Sequence, residues 1–168
     1  MACEGKVSDE RITEVLITMG IEEELKDRPL EDVSSLTLDA VEVQNEQEKA
    51  VVKKIRAVVQ KIGDKLKEDK EIQDDIKGIE KHFQQGEVEE ANQMFKEMFK
   101  EMFRGGITWE KIVISLYVVG KVLGTIGIMT ALYPYVKLIL KWTLDFFKNA
   151  LLGWILEQGG WICCSVLS

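Results

Sequence analysis

Cysteine, proline and histidine are scarce in this chain, and each shortage removes a class of architecture or chemistry. The three cysteines, Cys3, Cys163 and Cys164, stand near the two ends of the 168 residues, and the adjacent pair has neither the spacing nor the histidine partners of a zinc site. They read as free thiols of a reducing compartment, and Cys163 and Cys164 as exposed thiols rather than lipid attachment points. With only 2 prolines, long stretches run uninterrupted, which favours helices over many short strands. The single histidine, His82, has no nucleophile or metal-ligand companion at readable spacing. No active site can be assembled around it, so the chain is not expected to be an enzyme, and no cofactor and no metal are expected. The region around Glu4, Lys6 and Asp9 lacks a basic leader followed by an apolar run, so no secretory signal is expected and the protein is placed first in the cytosol. A net charge of -7, with no basic stripe interleaved with aromatics, argues against nucleic acid as a partner.

What is there is 46% apolar and 30% charged, enough for one globular domain over 1–168 that buries a core without covalent staples. From Ser8 the apolar residues Ile12, Val15, Leu16 and Met19 recur at helical spacing, which predicts a first helix over 8–26 with Ser8 or Asp9 as its N-cap. Pro29, several acidic residues and Ser34-Ser35 then break the pattern, so 27–45 reads as a flexible loop. Periodicity returns at Val51, Val52, Ile55, Val59, Ile62 and Leu66, an amphipathic helix over 46–69 whose other face is Lys, Gln, Asp and Glu. Two shorter amphipathic helices follow. One carries Ile72, Ile76, Ile79 and Phe83 and stops near Gly86; the next carries Val88, Ala91, Phe95, Met98, Phe99 and Met102 and stops at Gly105-Gly106.

The chain changes character at Ile107. To Leu132 it is almost wholly apolar, with Glu110, Lys111 and Lys121 as charged exceptions and Thr108 placed to cap the start. Tyr133-Pro134 marks a turn, and a second apolar helix returns through Val136, Leu140, Leu144 and Phe147, giving a hairpin over 107–150. Ile112 to Leu132 approaches the roughly 20 residues that span a bilayer core. Two readings stay open: the buried centre of a bundle ringed by the amphipathic helices, and a hairpin that transfers to a membrane once the bundle opens, with Lys111, Lys121, Lys137, Lys141 and Lys148 reaching headgroups. Gly153 and Gly159-Gly160 frame a short terminal helix within 151–164. Trp109, Trp154 and Trp161 stand at helix ends, where large aromatics act as core and junction anchors.

Ile55, Val59, Ile62 and Leu66 form one ridge, the pattern by which an amphipathic helix fills a hydrophobic groove. Gly63 lets a partner backbone approach, and Asp64 stands beside the ridge, able to meet a cation on a groove rim. These residues resemble the third homology motif of the Bcl family of apoptosis regulators. The run Gly106-Ile107-Thr108-Trp109-Glu110-Lys111 resembles the first motif, usually asparagine-tryptophan-glycine-arginine after a glycine, and Leu152-Gly153-Trp154-Ile155-Leu156-Glu157-Gln158-Gly159-Gly160-Trp161 resembles the second. The resemblance covers most of the chain from Ile55 onward. It implies an all-α Bcl-type bundle with a central apolar hairpin surrounded by amphipathic helices. It also assigns roles: a ligand ridge at Ile55, Val59, Ile62, Gly63, Asp64 and Leu66; a groove edge at Gly106, Trp109, Glu110 and Lys111; and a second motif at Gly153, Trp154, Gly159, Gly160 and Trp161.

Trp142-Thr143-Leu144-Asp145-Phe146-Phe147, followed by Leu151-Leu152-Gly153-Trp154, is similar to the Bax-like pro-apoptotic branch. That branch implies binding of third-motif helices, homo-oligomerisation, contact with mitochondrial outer-membrane lipid and permeabilisation of that membrane after movement from the cytoplasm. The alternative is a pro-survival guardian that sequesters such helices without making pores. A colicin-like channel bundle, the third class, lacks the ordered motifs. Lys111 replaces an arginine and loses its bidentate fork, and Glu110 replaces a small glycine with bulk and charge that would repel a ligand's aspartate. The stretch Ile162 to Ser168 is too short for the apolar anchor usual in the branch, so the anchor is expected to be absent or removed.

Overall fold

The amphipathic stripes assemble into a helical bundle in a computed structural model that describes residues 2–24, 46–127 and 133–163. The loop read over 27–45 and the far end of the apolar run, 128–132, lie outside the described residues.

Helix α1 (Ala2–Glu24) begins well before the cap expected at Ser8 or Asp9. Asp9 therefore lies inside the helix and does not cap it; its Oδ1 instead accepts the backbone N–H of Trp161 at 3.0 Å. Helix α2 (Glu46–Leu66) buries Val51, Val52, Ile55, Val59 and Leu66 and turns its lysines outward, as the periodicity requires. It stops at Leu66, short of 69, because Asp69 serves the next helix, α3 (Lys70–Gln84), as its N-cap and accepts the Ile72 N–H at 3.1 Å. Gly86, at φ 80°, makes the corner into α4 (Val88–Met102). Gly106, at φ 118°, turns the chain into α5 (Trp109–Gly127), and Thr108 Oγ1 caps the new helix by accepting the Lys111 N–H at 3.2 Å.

Helix α5 occupies the centre. Ile112, Val113, Val118, Val119, Val122, Leu123 and Ile126 are all fully buried, each such side chain contributing about 1.5–3 kcal/mol relative to exposure. Helix α1 crosses it so closely that a Cβ on Gly120 would stand 3.1 Å from the Gly20 carbonyl oxygen. Helix α6 (Tyr133–Phe146) is less apolar than its sequence suggests: Val136, Ile139, Leu140 and Leu144 face inward, whereas Lys137, Leu138, Lys141 and Asp145 face solvent. Of the expected hairpin, α5 is the more deeply buried, with Glu110 the one exposed residue over 109–126.

A π turn over Phe147–Leu151 follows α6 directly. The extra residue in that turn keeps Phe147, Leu151 and Ile155 all facing the core as the chain enters α7 (Leu152–Glu157). Gly153 lies inside α7 and does not frame it. A 3-10 turn, Trp161–Cys163, ends the described chain. Helices α4 and α6 meet through an aromatic layer in which the Phe95, Phe99 and Phe146 rings surround Trp142 with centroids 5.4–5.9 Å away. Among the described residues no helix is long and apolar enough to cross a membrane, and none is a strand.

Candidate helix-binding groove

The third-motif ridge faces inward. Ile55, Val59 and Leu66 are buried against α1 and α5, and Ile62 is half-buried beside them. Gly63 admits the Tyr117 ring of α5, and a Cβ at Gly63 would stand 2.9 Å from that ring. The glycine expected to let a ligand approach thus accommodates the protein's own tyrosine in this state. Gln73 fastens the same corner: its Nε2 donates to the Leu66 carbonyl at 2.8 Å and to the Tyr117 hydroxyl at 3.2 Å. Asp64 points to solvent and pairs with Lys67 at 3.4 Å.

Helices α3, α4 and α5 enclose a cleft of about 850 Å³. Its apolar lining comes from Ile72 and Ile79 of α3, Met94, Met98 and Met102 of α4, and Ile114 of α5. Three methionines make this wall adaptable, because unbranched thioether side chains repack around differently shaped partners. Acidic residues of α3 and α4 stand on the rim beside Lys100, Arg104 and Lys111. Arg104 is held by Glu101 at 3.2 Å. Lys111 has no carboxylate partner among the described residues; its Nζ donates to the Gly106 carbonyl at 3.0 Å. Glu110, its neighbour, is exposed.

Asp64 and Lys111 are not brought together. Asp64 lines a separate recess of about 300 Å³ between α1, α2 and α5, whereas Lys111 lines the large cleft.

The first and second motifs do meet, through their tryptophans. Trp109 packs edge-on against Trp154 at 5.1 Å and at a tilt against Trp161 at 5.6 Å. Trp161 is fully buried, and its indole N–H donates to Thr13 Oγ1 at 2.9 Å. Gly159 and Gly160, at φ 101° and 92°, make the turn that delivers Trp161 to α1. A Cβ at Gly160 would stand 2.7 Å from Asp9 Oδ2, so the second glycine is required by the close approach of that carboxylate. Burial pushes the Asp9 carboxyl above its ordinary range, against the opposing effect of the Trp161 N–H. Two residues on, Arg11 binds Glu48 of α2 through two bonds of 2.8 Å, and Glu48 is only 3% exposed. That bond also holds the Arg11 guanidinium above its usual pKa. None of this α1 chemistry is readable from periodicity, since Asp9, Arg11 and Thr13 sit among ordinary polar helix residues; their only signal is that each lies within one turn of Ile12.

A glycine-turned tryptophan pinned to the first helix, an inward-facing third-motif ridge and an apolar cleft beside a central buried helix define one architecture. The family model of the apoptosis regulator proteins of the Bcl-2 family matches residues 59–161, and the chain belongs to that family. Within it the sequence is Bax-like. It is 29% identical to the apoptosis regulator BAX of Homo sapiens over 159 residues, which is 94% of this chain and 77% of the human protein. The Bos taurus apoptosis regulator BAX is 29% identical over 161 residues, with the same coverage of 94% and 77%. Among solved structures, Trichoplax adhaerens trBcl-2L2, determined bound to trBak BH3, superposes with a TM-score of 0.64 at 16% identity, covering 95% of each chain. That likeness establishes the fold.

Proposed function

We propose that this protein is a Bax-like pro-apoptotic effector: it binds third-motif helices in the α3–α4–α5 cleft, exposes its own ridge, oligomerises and permeabilises the mitochondrial outer membrane after leaving the cytoplasm. Its action is by protein–protein and protein–lipid contact and not by catalysis. The observation that carries the reading is Lys111, a cation on the rim of a methionine-lined apolar cleft, resting on its own loop carbonyl and available to an incoming carboxylate. A helix bearing the ridge Ile55, Val59, Ile62 and Leu66 with Asp64 beside it supplies both the apolar anchors and that carboxylate. A second copy of this chain carries the same helix, which accounts for homo-oligomerisation once α2 is released.

Two measurements test the proposal. A labelled peptide of residues 48–68 should bind the full chain, and a cycle of Asp64→Ala in the peptide with Lys111→Ala in the protein should give a coupling of about 0.5–3 kcal/mol. Zero coupling would remove the pair from the mechanism. Liposomes of mitochondrial outer-membrane composition should release trapped dye on addition of the protein with an activator helix. Tight peptide binding with no release under any condition would replace the effector reading with the guardian one.

A further inference from the structure

The α3–α4 corner carries a group of side chains that the groove does not use. His82 lies in the last turn of α3, Glu87 immediately precedes α4 and Glu90 lies in its first turn. His82 Nδ1 is 3.3 Å from a Glu87 carboxylate oxygen and 3.5 Å from one of Glu90, and the three atoms all lie within 4.8 Å of one another. The geometry points to a zinc-class divalent cation site formed by His82, Glu87 and Glu90, clipping α3 to α4.

The distances carry the assignment. A tetrahedral zinc with nitrogen and oxygen ligands at roughly 2.0–2.2 Å separates neighbouring ligand atoms by roughly 3.3–3.6 Å. The two imidazole–carboxylate separations already have that value, and the two carboxylates, within 4.8 Å of each other, close on the ion by side-chain rotation. One nitrogen and two carboxylates suit zinc, whereas calcium and magnesium prefer all-oxygen shells. Three protein ligands leave a fourth position for water. The backbone supports the arrangement: Gly86 in the left-handed region closes the corner, and the Glu87 N–H donates to the His82 carbonyl at 2.8 Å. Binding takes the Nδ1 lone pair and leaves the proton on Nε2, so a proton held on Nδ1 is released to solvent. Periodicity cannot reveal the site, because its ligands come from two helices and each alone is an ordinary surface group.

The consequence concerns the cleft walls. Helix α3 supplies Ile72 and Ile79 and helix α4 supplies Met94 and Met98, so a metal at their shared corner fixes the separation of two walls of the groove. The site stands on its own geometry and does not depend on the effector reading.

The test uses the untagged full chain with Cys3, Cys163 and Cys164 replaced by serine, which removes competing thiolates. His82 is the only histidine, so its imidazole C–H resonances are assigned without mutation. One equivalent of zinc should shift them, an excess of magnesium should not, and EDTA should reverse the change. In competition against a chromophoric chelator, His82→Gln and the Glu87→Gln, Glu90→Gln double variant should each weaken zinc binding at least about tenfold, the lower end of what even outer-shell substitutions cause. Unshifted imidazole resonances in the parent chain, or equal zinc affinity in parent and variants, would overturn the site and leave an imidazole beside two carboxylates. The resonance measurement needs only the parent chain, so a variant that fails to fold does not block the decision.

Discussion

Replacing Gly160 by alanine sets two penalties against the fold, and both can be sized from the turn. The residue has φ 92°, where a Cβ is strained, at about 1–3 kcal/mol. The new Cβ would also stand 2.7 and 3.0 Å from the two Asp9 carboxylate oxygens, and α1 cannot retreat because Gly20 and Gly120 already hold it against α5. Asp9 must therefore swing away and release the Trp161 N–H, which leaves a buried donor unsatisfied at about 1–3 kcal/mol. Together these penalties, about 2–6 kcal/mol, lower the melting temperature by roughly 4–24 °C at about 2–4 °C per kcal/mol for a domain of this size. Gly153 is the internal control. It lies inside α7 with no positive φ, and a Cβ there would meet nothing within 4 Å, so Gly153→Ala should stabilise by up to about 1 kcal/mol through helix propensity. Urea denaturation followed by circular dichroism reads both. In an Asp9→Ala background the side-chain part of the Gly160→Ala penalty should vanish while the backbone part remains. If the two alanine substitutions shift stability in the same direction, or if Gly160→Ala costs less than about 0.5 kcal/mol, the clasp between α1 and the second motif does not matter energetically.

Further expectations follow from the same geometry. Burial raises the Asp9 pKa, so its contribution to stability is complete below the ordinary value of 3.8 and declines as pH rises through the folded-state value. The stability of the parent minus that of Asp9→Asn should therefore fall between acid and neutral pH, and a difference that rises with pH contradicts the sign. Arg11→Ala removes two charge-assisted bonds to the buried Glu48 carboxylate and should destabilise by about 1.5–3 kcal/mol, while Arg11→Met with Glu48→Leu should cost less; equal losses in denaturant melts would refute a desolvation origin. Gly63→Ala should press on the Tyr117 ring, destabilise the resting bundle by about 1–3 kcal/mol and lower the temperature at which liposomes are permeabilised. Unchanged release at lowered stability would separate α2 packing from opening.

Legibility in the sequence depends on whether the cause is local. The stripes of α2, α3 and α4 follow from spacing alone, and Ile55, Val59 and Leu66 are buried as their periodicity demands. Thr108 caps α5 because capping needs only residues a turn apart. Asp9 misleads for the opposite reason: a helix-starting residue type is drawn into tertiary bonding by a tryptophan 152 positions away. The solvent face of α6 is hidden by Leu138, an apolar residue that is 62% exposed and blurs the stripe beside Lys137 and Lys141. The π turn leaves no trace in composition, since it reflects the need to keep Phe147 and Leu151 on one side. In the groove, Lys111 is legible as the rim cation from its motif, but the methionine wall opposite reads only as helix core, since which face of α4 meets α3 is a property of the assembled bundle.

The bonds that Trp161 donates to Asp9 and Thr13 span 152 and 148 residues, so they close a loop containing nearly every other contact in the domain. Loop-closure entropy makes such contacts expensive to form early, and they follow only after the intervening helices have shortened the distance. In folding, the clasp is accordingly a late event, and on the return path it is among the first to let go. Its release frees the turn after α7 around Trp161, while the close crossing at Gly20 and Gly120 keeps α1 against α5. Intermediates on either route should therefore show exchange-labile amides around Trp161, with the amides of α5 and of the α1 stretch packed on it still protected.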